Sequence, residues 1–403
     1  MTKYDLIVIG GGAAGFFTAI NYAMRQPEHR VLILEKNSKT LSKLKVSGGG
    51  RCNVTHACFE PRELVKFYPR GNKALRSVFH QFQPGDTIAW FYDRGIALKT
   101  EDDNRMFPET DQSQTIIDCF LDEANKYGVK VYTKTAVQSI NQVAETKQWL
   151  VQTENEVYES TALMVASGSS PQVWGLLEEL GHKVEPPVAS LFTFRIKDPR
   201  LEGLSGISVE NTEIWVEQTK LNECGPLLIT HKGLSAPAIL KISAWGARTL
   251  HKMNYQFTLK VNWLADYNSE EMKSELIRIK QEHPKKTVFN TKAFDLPKRL
   301  WEQLCSGVID TKKNWADLSK KEIHNLAEEL CACRFQVNGK NTFKDEFVTC
   351  GGVHLKEVDF KNMESKLFPG LYFAGEVLDI DALTGGFNFQ AAWSTSWIAA
   401  QHI

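Results

Sequence analysis

Between Tyr4 and Glu35 the chain passes from an apolar run, Leu6-Ile7-Val8-Ile9, through Gly10-Gly11-Gly12-Ala13-Ala14-Gly15 into a helical stretch reaching Arg25. A second apolar run, Val31-Leu32-Ile33-Leu34, then closes on Glu35. The order predicts strand, tight turn, helix and strand. Three glycines at a strand–helix junction, with an acid 20 positions after Gly15, have the spacing of a dinucleotide-binding fold. Gly10 permits the turn, Gly12 lets the backbone approach a pyrophosphate with no Cβ in between, and Gly15 lets the helix lie close to the strand. The positive helix end at Ala13 and Ala14 then faces the phosphates. Glu35 is placed to accept from ribose hydroxyls and would repel a 2′-phosphate, so the pattern fits FAD or NAD better than NADP. Lys36, directly after it, is counted with the cofactor-binding candidates.

A chain of 403 residues is too long for one ordinary core, so two or three domains are expected. Lys+Arg and Asp+Glu balance at 48 each, which imposes no nucleic acid or membrane surface on the chain as a whole. The balance is uneven. Lys36, Lys39, Lys43, Lys45, Arg51, Arg62, Lys66, Arg70, Lys73 and Arg76 face only Glu60 and Glu63 in the same stretch. This run reads either as a solvated surface with phosphate counter-charges or as contact with a polyanionic substrate. No apolar run reaches the roughly 18 residues of a membrane span. The chain enters its first strand at once and carries Asp5, so no signal peptide is expected. Eight scattered cysteines lack zinc-type spacing, so no metal is expected, and reduced thiols in a cytoplasmic protein are.

Further along, Ser47-Gly48-Gly49-Gly50-Arg51-Cys52-Asn53 is a second glycine run, expected to pass close to a flat ligand. Thr87–Arg94 and Ser113–Tyr127 have helical spacing, and Arg105-Met106-Phe107-Pro108 reads as a loop between them. Thr135–Ile140, Trp149–Thr153 and Glu156–Ser160 read as an antiparallel meander. Leu163-Met164-Val165-Ala166-Ser167-Gly168 reads as a separate buried parallel strand ending at a ligand crevice. From about Leu191 short strands (Phe192–Ile196, Ile207–Val209, Glu213–Val216, Leu227–Thr230, Gln256–Val261) have the spacing of a barrel or sandwich. Helices are expected over Ser269–Gln281, Pro297–Cys305 and Ser319–Leu330, the last opening on a capping box. No second dinucleotide fingerprint occurs here, so this block reads as an insertion supplying a roof. The last sixty residues return to the opening pattern. A strand ends in Ala374-Gly375-Glu376, Asp379 follows, and Thr384-Gly385-Gly386 opens a terminal helix at Phe387 whose dipole favours negative charge on a bound ring.

Gly10–Gly15, Ser47–Asn53, Thr349–Val353 and Gly370–Gln390, with Thr230-His231-Lys232-Gly233-Leu234-Ser235, resemble the BaiN/RdsA-type (YhiN-like) family of FAD-dependent oxidoreductases. The resemblance covers nearly the whole chain. It implies an α/β fold: a split Rossmann-like FAD-binding domain of the two-dinucleotide-binding-domain flavoprotein type, interrupted by a β-barrel and helical insert. The expected boundaries are 1–190, 191–342 and 343–403. Two positions depart from the family pattern, with Ala236 where glycine is usual and His56 where asparagine is common.

The implied activity is reduction of a polarised C=C bond by hydride from reduced flavin N5. The substrate is a 23S ribosomal RNA uridine, giving dihydrouridine with NAD(P)H as transient reductant, or else a small enone, steroid-like or quinone-like molecule. A flavin-binding redox sensor without substantial turnover is the reading from another class. Cofactor contacts are expected from Ser47 to Asn53, from Ser167 and Gly168, from Gly375, Glu376 and Asp379, and from Thr384 to Phe387. The N–H groups of Gly385 and Gly386 are expected near flavin N1/O2. For catalysis the candidates are Cys52 as an acid or a packing residue, His231 as an acid or a structural histidine, and Arg51 as a ligand for a phosphate or carbonyl oxygen or a salt-bridge partner. Oligomeric state carries no sequence signal.

Overall fold

The computed structural model describes residues 2–341 and 348–403, which fall into two compact units, 2–188 with 348–403 and 189–341. The expected boundary between 342 and 343 lies outside the described residues. The first unit opens with β1 (Thr2–Ile9), α1 (Ala13–Arg25) and β2 (Val31–Leu34). The short helices α2 (Ser42–Val46), α3 (Pro61–Leu64), α4 (Asn72–Phe79) and α5 (Pro84–Tyr92) follow. Among and after them β3 (Thr55–His56), β4 (Leu98–Thr100) and β5 (Arg105–Pro108) form a small sheet in the order β3-β5-β4. The expected loop at Arg105–Pro108 is therefore the centre of a sheet. Its partner, Thr55 opposite Met106, lies far away in sequence, and four residues are too few to show a period of two.

The chain continues through α6 (Ser113–Lys126), β6 (Lys130–Tyr132), β7 (Val137–Gln142), β8 (Trp149–Thr153), β9 (Val157–Val165), α7 (Pro171–Leu180) and β10 (Val184–Ser190). The meander strand and the buried strand expected at 156–168 are one element, β9. It runs parallel to β1 from Thr2↔Tyr158 to Ile9↔Val165, while its first half also pairs antiparallel with β8. Buried Glu159 and Ser160 interrupt the apolar run and disguise that continuity.

The second unit is a closed barrel, β11-β14-β13-β12-β15-β16, in which β11 is Thr193–Ile196, β12 Ser208–Val216, β13 Asn222–Thr230 and β14 Gly233–Ser235. Helices α8 (Pro237–Trp245) and α9 (Ala247–Lys252) precede β15 (Gln256–Asn262). After it come α10 (Ser269–Glu282), α11 (Lys298–Ser306), α12 (Lys320–Cys331) and β16 (Cys333–Asn341). Two expected strands merge into β12 across a register shift between Val209 and Thr212, a bulge that breaks the alternation. Ser319 caps α12 as its spacing predicts, with Ser319 Oγ accepting from Glu322 N at 3.2 Å and Glu322 Oε2 accepting from Ser319 N at 2.8 Å. Ala236, at the start of α8, has φ 84° and ψ 176°, a backbone region that belongs to glycine.

On its return the chain forms β17 (Val348–Val353), which pairs with β10, then β18 (Val358–Asp359), β19 (Glu364–Ser365), β20 (Leu371–Phe373) and α13 (Phe387–His402). The main sheet of the first unit reads β18-β19-β20-β9-β1-β2-β6. Its strands β20, β9, β1, β2 and β6 are mutually parallel. Leu6–Val8 and Leu163–Val165 are fully buried, as strands covered on both faces must be. Helix α13 packs along α1 and brings Trp393 to 5.2 Å from Phe17 and 5.5 Å from Phe120. Each such aromatic stabilises the unit by about 1.5–3 kcal/mol through burial.

Candidate functional site

Parallel strands in register bring their carboxyl ends to one edge, and four of the expected segments meet there. Ile9 pairs with both Leu34 and Val165, and Phe373 with Val165, so Gly10, Glu35, Ala166-Ser167-Gly168 and Ala374-Gly375-Glu376 leave the same side of the sheet. Gly10 has φ +113°, and a Cβ there would meet the Ala166 carbonyl oxygen at 2.5 Å. A Cβ on Gly15 would meet the Gly10 oxygen at 1.9 Å. Gly12 differs from both, because nothing lies within 4 Å of the place its Cβ would occupy. The space in front of Gly12 is open and the start of α1 carries no side-chain cap. Ala13, Ala14 and Gly15 therefore present a helix N-terminus to that space, a donor set that fits a dinucleotide pyrophosphate.

Glu35, 9% exposed, shapes this cradle. One carboxylate oxygen accepts from Gly11 N at 2.8 Å, and the other accepts from Asn37 N and Nδ2 at 2.8 and 2.7 Å. Lys36 reaches Ser170 Oγ at 3.5 Å. Ser167 Oγ bonds the Gly168 carbonyl at 3.4 Å, and Gly168 lies near Glu376 Oε2.

The carboxy-terminal segment closes on the same place. Gly375 N donates to Thr395 Oγ1 at 3.1 Å, and Ser396 Oγ donates to the Ala14 carbonyl at 2.9 Å. Lys43 forms an ion pair with Glu376, whose carboxylate pushes the lysine pKa up and keeps it charged. Sequence reasoning placed Lys43 in the basic run without its partner, because nothing local marks a partner this distant. Asp379 is partly buried, with its N–H on the Val353 carbonyl at 3.1 Å. Thr384 is exposed, and Phe387 is buried against Phe67 at 4.2 Å and His56 at 4.5 Å. Burial lowers the His56 pKa and outweighs the opposing charge of Asp103.

The Ser47–Asn53 run forms a tight turn with φ +57° at Gly48 and +69° at Gly49. Gly49 and Gly50 are exposed, and nothing lies within 4 Å of the Cβ position at Gly49. Ser47 Oγ bonds the Leu44 carbonyl at 2.9 Å. Asn53, oriented by its neighbours, donates to the Thr55 carbonyl at 3.0 Å and accepts from Gly386 N at 3.0 Å. One of the two N–H groups expected for a flavin edge is thus engaged within the chain.

The catalytic candidates have different surroundings. Arg51 lies over the Phe107 ring at 4.0 Å and bonds Glu101 Oε1 at 2.5 Å and Asp111 Oδ1 at 3.5 Å, which is the salt-bridge alternative. Cys52 is fully buried in the core of this unit, and burial pushes its thiol up to about 12, a poor proton donor near neutrality. His231 belongs to the other unit, exposed in the turn between β13 and β14. Two groupings without a local sequence signal complete the site. Arg70 pairs with fully buried Asp381 ahead of the Thr384–Gly386 turn, and Gln390 Oε1 accepts from Thr55 Oγ1 at 2.5 Å and Thr87 Oγ1 at 3.0 Å. Among the described residues no cluster of three His, Cys, Asp or Glu is arranged to hold a metal, and no helix is long and apolar enough to cross a membrane.

Comparison with known proteins gives the family described as HI0933-like protein Rossmann domain, matching residues 4–402. A ribosomal RNA dihydrouridine synthase of Escherichia coli (strain K12) is 32% identical over 412 residues, covering 100% of this chain and 98% of that protein. A 3-dehydro-bile acid delta(4,6)-reductase of Clostridium scindens is 24% identical, covering 98% of this chain and 97% of the other. Among solved structures, a 3-ketosteroid delta1-dehydrogenase of Sterolibacterium denitrificans aligns with a TM-score of 0.53 at 12% identity over 100% of this chain and 99% of that one, a likeness of fold.

Proposed function

The chain belongs to the HI0933-like Rossmann family and is an FAD-dependent oxidoreductase; from that premise we propose that it reduces a uridine of 23S ribosomal RNA to dihydrouridine, with NAD(P)H as the source of electrons. The observation that carries the cofactor part is the open space before Gly12, bordered by the carboxyl ends of β1, β2, β9 and β20. When bound, FAD supplies the hydride. The chain's own residues hold and orient. N–H groups of Ala13 to Gly15 would hold phosphate oxygens, and Glu35 keeps the loop in shape through Gly11 and Asn37. The Lys43–Glu376 pair ties the two ends of the polypeptide together beside them. Gly385 would offer the remaining N–H of the Thr384–Gly386 turn to the ring, and the exposed Gly49–Gly50 backbone a surface without side chains. Arg51 and Cys52 act as positioning residues, the first through Phe107 and the second through the core.

The substrate part rests on the E. coli relative, 32% identical over the whole chain. An RNA substrate and eight free thiols fit a cytoplasmic location. Ribosomal RNA from a deletion strain is expected to lack one dihydrouridine, and an unchanged modification map removes the reading. The Clostridium relative supports a second reading, a small enone substrate. Rapid reoxidation of the reduced flavin by enones without RNA would select it. Poor reduction by NAD(P)H in the presence of RNA would favour a redox sensor.

A further inference from the structure

Of the ten cations between Lys36 and Arg76, the structure assigns partners to half. Lys36 reaches Ser170, Lys43 pairs with Glu376, Arg51 with Glu101 and Asp111, Lys66 with Glu63, and Arg70 with Asp381. Lys39 and Lys45 border the nucleotide cradle, between Glu35 and Ser47. Arg62, Lys73 and Arg76 remain, exposed, and among the described residues no side chain pairs with their cationic groups.

Lys73 and Arg76 share one surface, and Arg62 lies on the neighbouring helix α3, flanked by exposed Glu60 and Glu63. Helix α4 buries Leu75, Val78 and Phe79 and exposes Lys73, Arg76 and Ser77, with exposed His80 just past its end. Positions 73, 76, 77 and 80 fall on one stripe of a helix, and α4 contains no acidic residue. Helix α3, which carries Arg62, is in contact with α4. Lys73 and Arg76 lie one turn apart and repel one another, and a phosphate between them reverses the sign of that interaction.

The stripe is also fastened to the site. Gly71, at the start of α4, lies so close to Ile380 that a Cβ would meet its Cγ1 at 2.6 Å. Arg70 holds Asp381, and Leu383 N donates to the Phe67 carbonyl at 2.9 Å. The segment leading into Thr384-Gly385-Gly386 is thereby anchored to the loop from which α4 springs.

We propose that Arg62, Lys73 and Arg76 form a docking surface for the phosphate backbone of the RNA substrate, carried across α3 and α4 beside the carboxy-terminal glycine turn. The proposal rests on the RNA reading above. Phosphate contacts dominate the affinity of such surfaces and make it depend on salt, and they add no base specificity.

The test compares holoenzyme with the Lys73→Glu/Arg76→Glu variant for binding to protein-free 23S ribosomal RNA between about 50 and about 200 mM salt. Both positions are exposed, so the fold and the flavin content read from absorbance are expected to match wild type. The slope of log affinity against log salt is expected to fall by about 1.5, and low-salt affinity at least about tenfold. A milder variant, Lys73→Gln/Arg76→Gln, moves both in the same direction by less. If wild type binds and modifies the RNA while both variants match its slope and affinity, the surface is wrong and the substrate reading stands. If wild type itself neither binds nor modifies the RNA, both fall.

Discussion

The side-chain oxygen of Asn53 accepts the N–H of Gly386 at 3.0 Å, while its amide nitrogen donates to the carbonyls of Thr55 and Met106 at 3.0 and 3.3 Å. One buried amide thus joins the second glycine run, the small β3-β5-β4 sheet and the first residue before α13. Removing it as Asn53→Ala leaves the half-buried Gly386 N–H without its acceptor and the Thr55 and Met106 carbonyls without this donor, at a cost of about 1–3 kcal/mol. Lower thermal stability of the apoprotein and weaker retention of FAD are expected together. Loss of stability with flavin retention unchanged would confine Asn53 to a structural role.

Cys52 lies in the glycine run that resembles the family, yet its thiol is fully buried and pushed up to about 12 by desolvation. Cys52→Ala is expected to retain turnover, with a modest loss of stability from the vacated volume. In the native protein the Cys52 thiol is expected to resist iodoacetamide near neutral pH, while exposed Cys224 remains within reach of the reagent. A loss of turnover of about 10²-fold or more in Cys52→Ala would restore the thiol as the acid.

Ala236 occupies φ 84° and ψ 176°, at a cost for a non-glycine residue of about 1–3 kcal/mol. Glycine removes that strain and adds about 0.5–1 kcal/mol of unfolded-chain entropy. Ala236→Gly is therefore expected to stabilise the protein by about 1 kcal/mol, read as an upward shift of thermal unfolding. A downward shift would contradict the strained backbone.

His182 is buried, with Nδ1 at 2.9 Å from Glu357 Oε2 and Nε2 at 3.1 Å from Ser365 Oγ. Desolvation lowers its pKa below the usual 6.5, outweighing the opposing pull of Glu357. The folded state therefore binds this proton less readily than the unfolded state. Its contribution to stability is complete above about pH 6.5 and is lost as pH falls toward the lower folded value. Stability of the wild type is expected to decline on acidification through that window, and His182→Gln to show a shallower decline. Equal slopes would remove His182 from the acid response.

Much of the cradle was legible because its signals are local. The close packing at Gly10 and Gly15 follows from spacing within one strand–helix–strand unit, and the Ser319 cap from three residues. Roles set by distant partners were not legible. Arg51 could be read as a ligand or a salt bridge until Glu101, Asp111 and Phe107 were placed around it, and Cys52 until its burial was known. Gly386 carried a free N–H in sequence and donates it to Asn53 in the fold. Pairing also hid β5, whose partners are remote, and the continuity of β9, whose buried Glu159 and Ser160 break the apolar pattern. The departure at Ala236 could be noted in sequence, but only the backbone shows why glycine suits that position.

The central claim is that both ends of the polypeptide form one FAD cradle opening in front of Gly12, and flavin titration of apoprotein tests it most directly. Gly12 has φ −94° and free space at its Cβ position, so Gly12→Val is expected to fold like wild type by circular dichroism. Wild type is expected to take up one FAD per chain and turn yellow, and Gly12→Val to bind at least about 100-fold more weakly because its side chain stands where the backbone must approach the pyrophosphate. Wild-type protein that stays colourless in excess FAD, or a Gly12→Val variant that binds it equally well, would contradict the account.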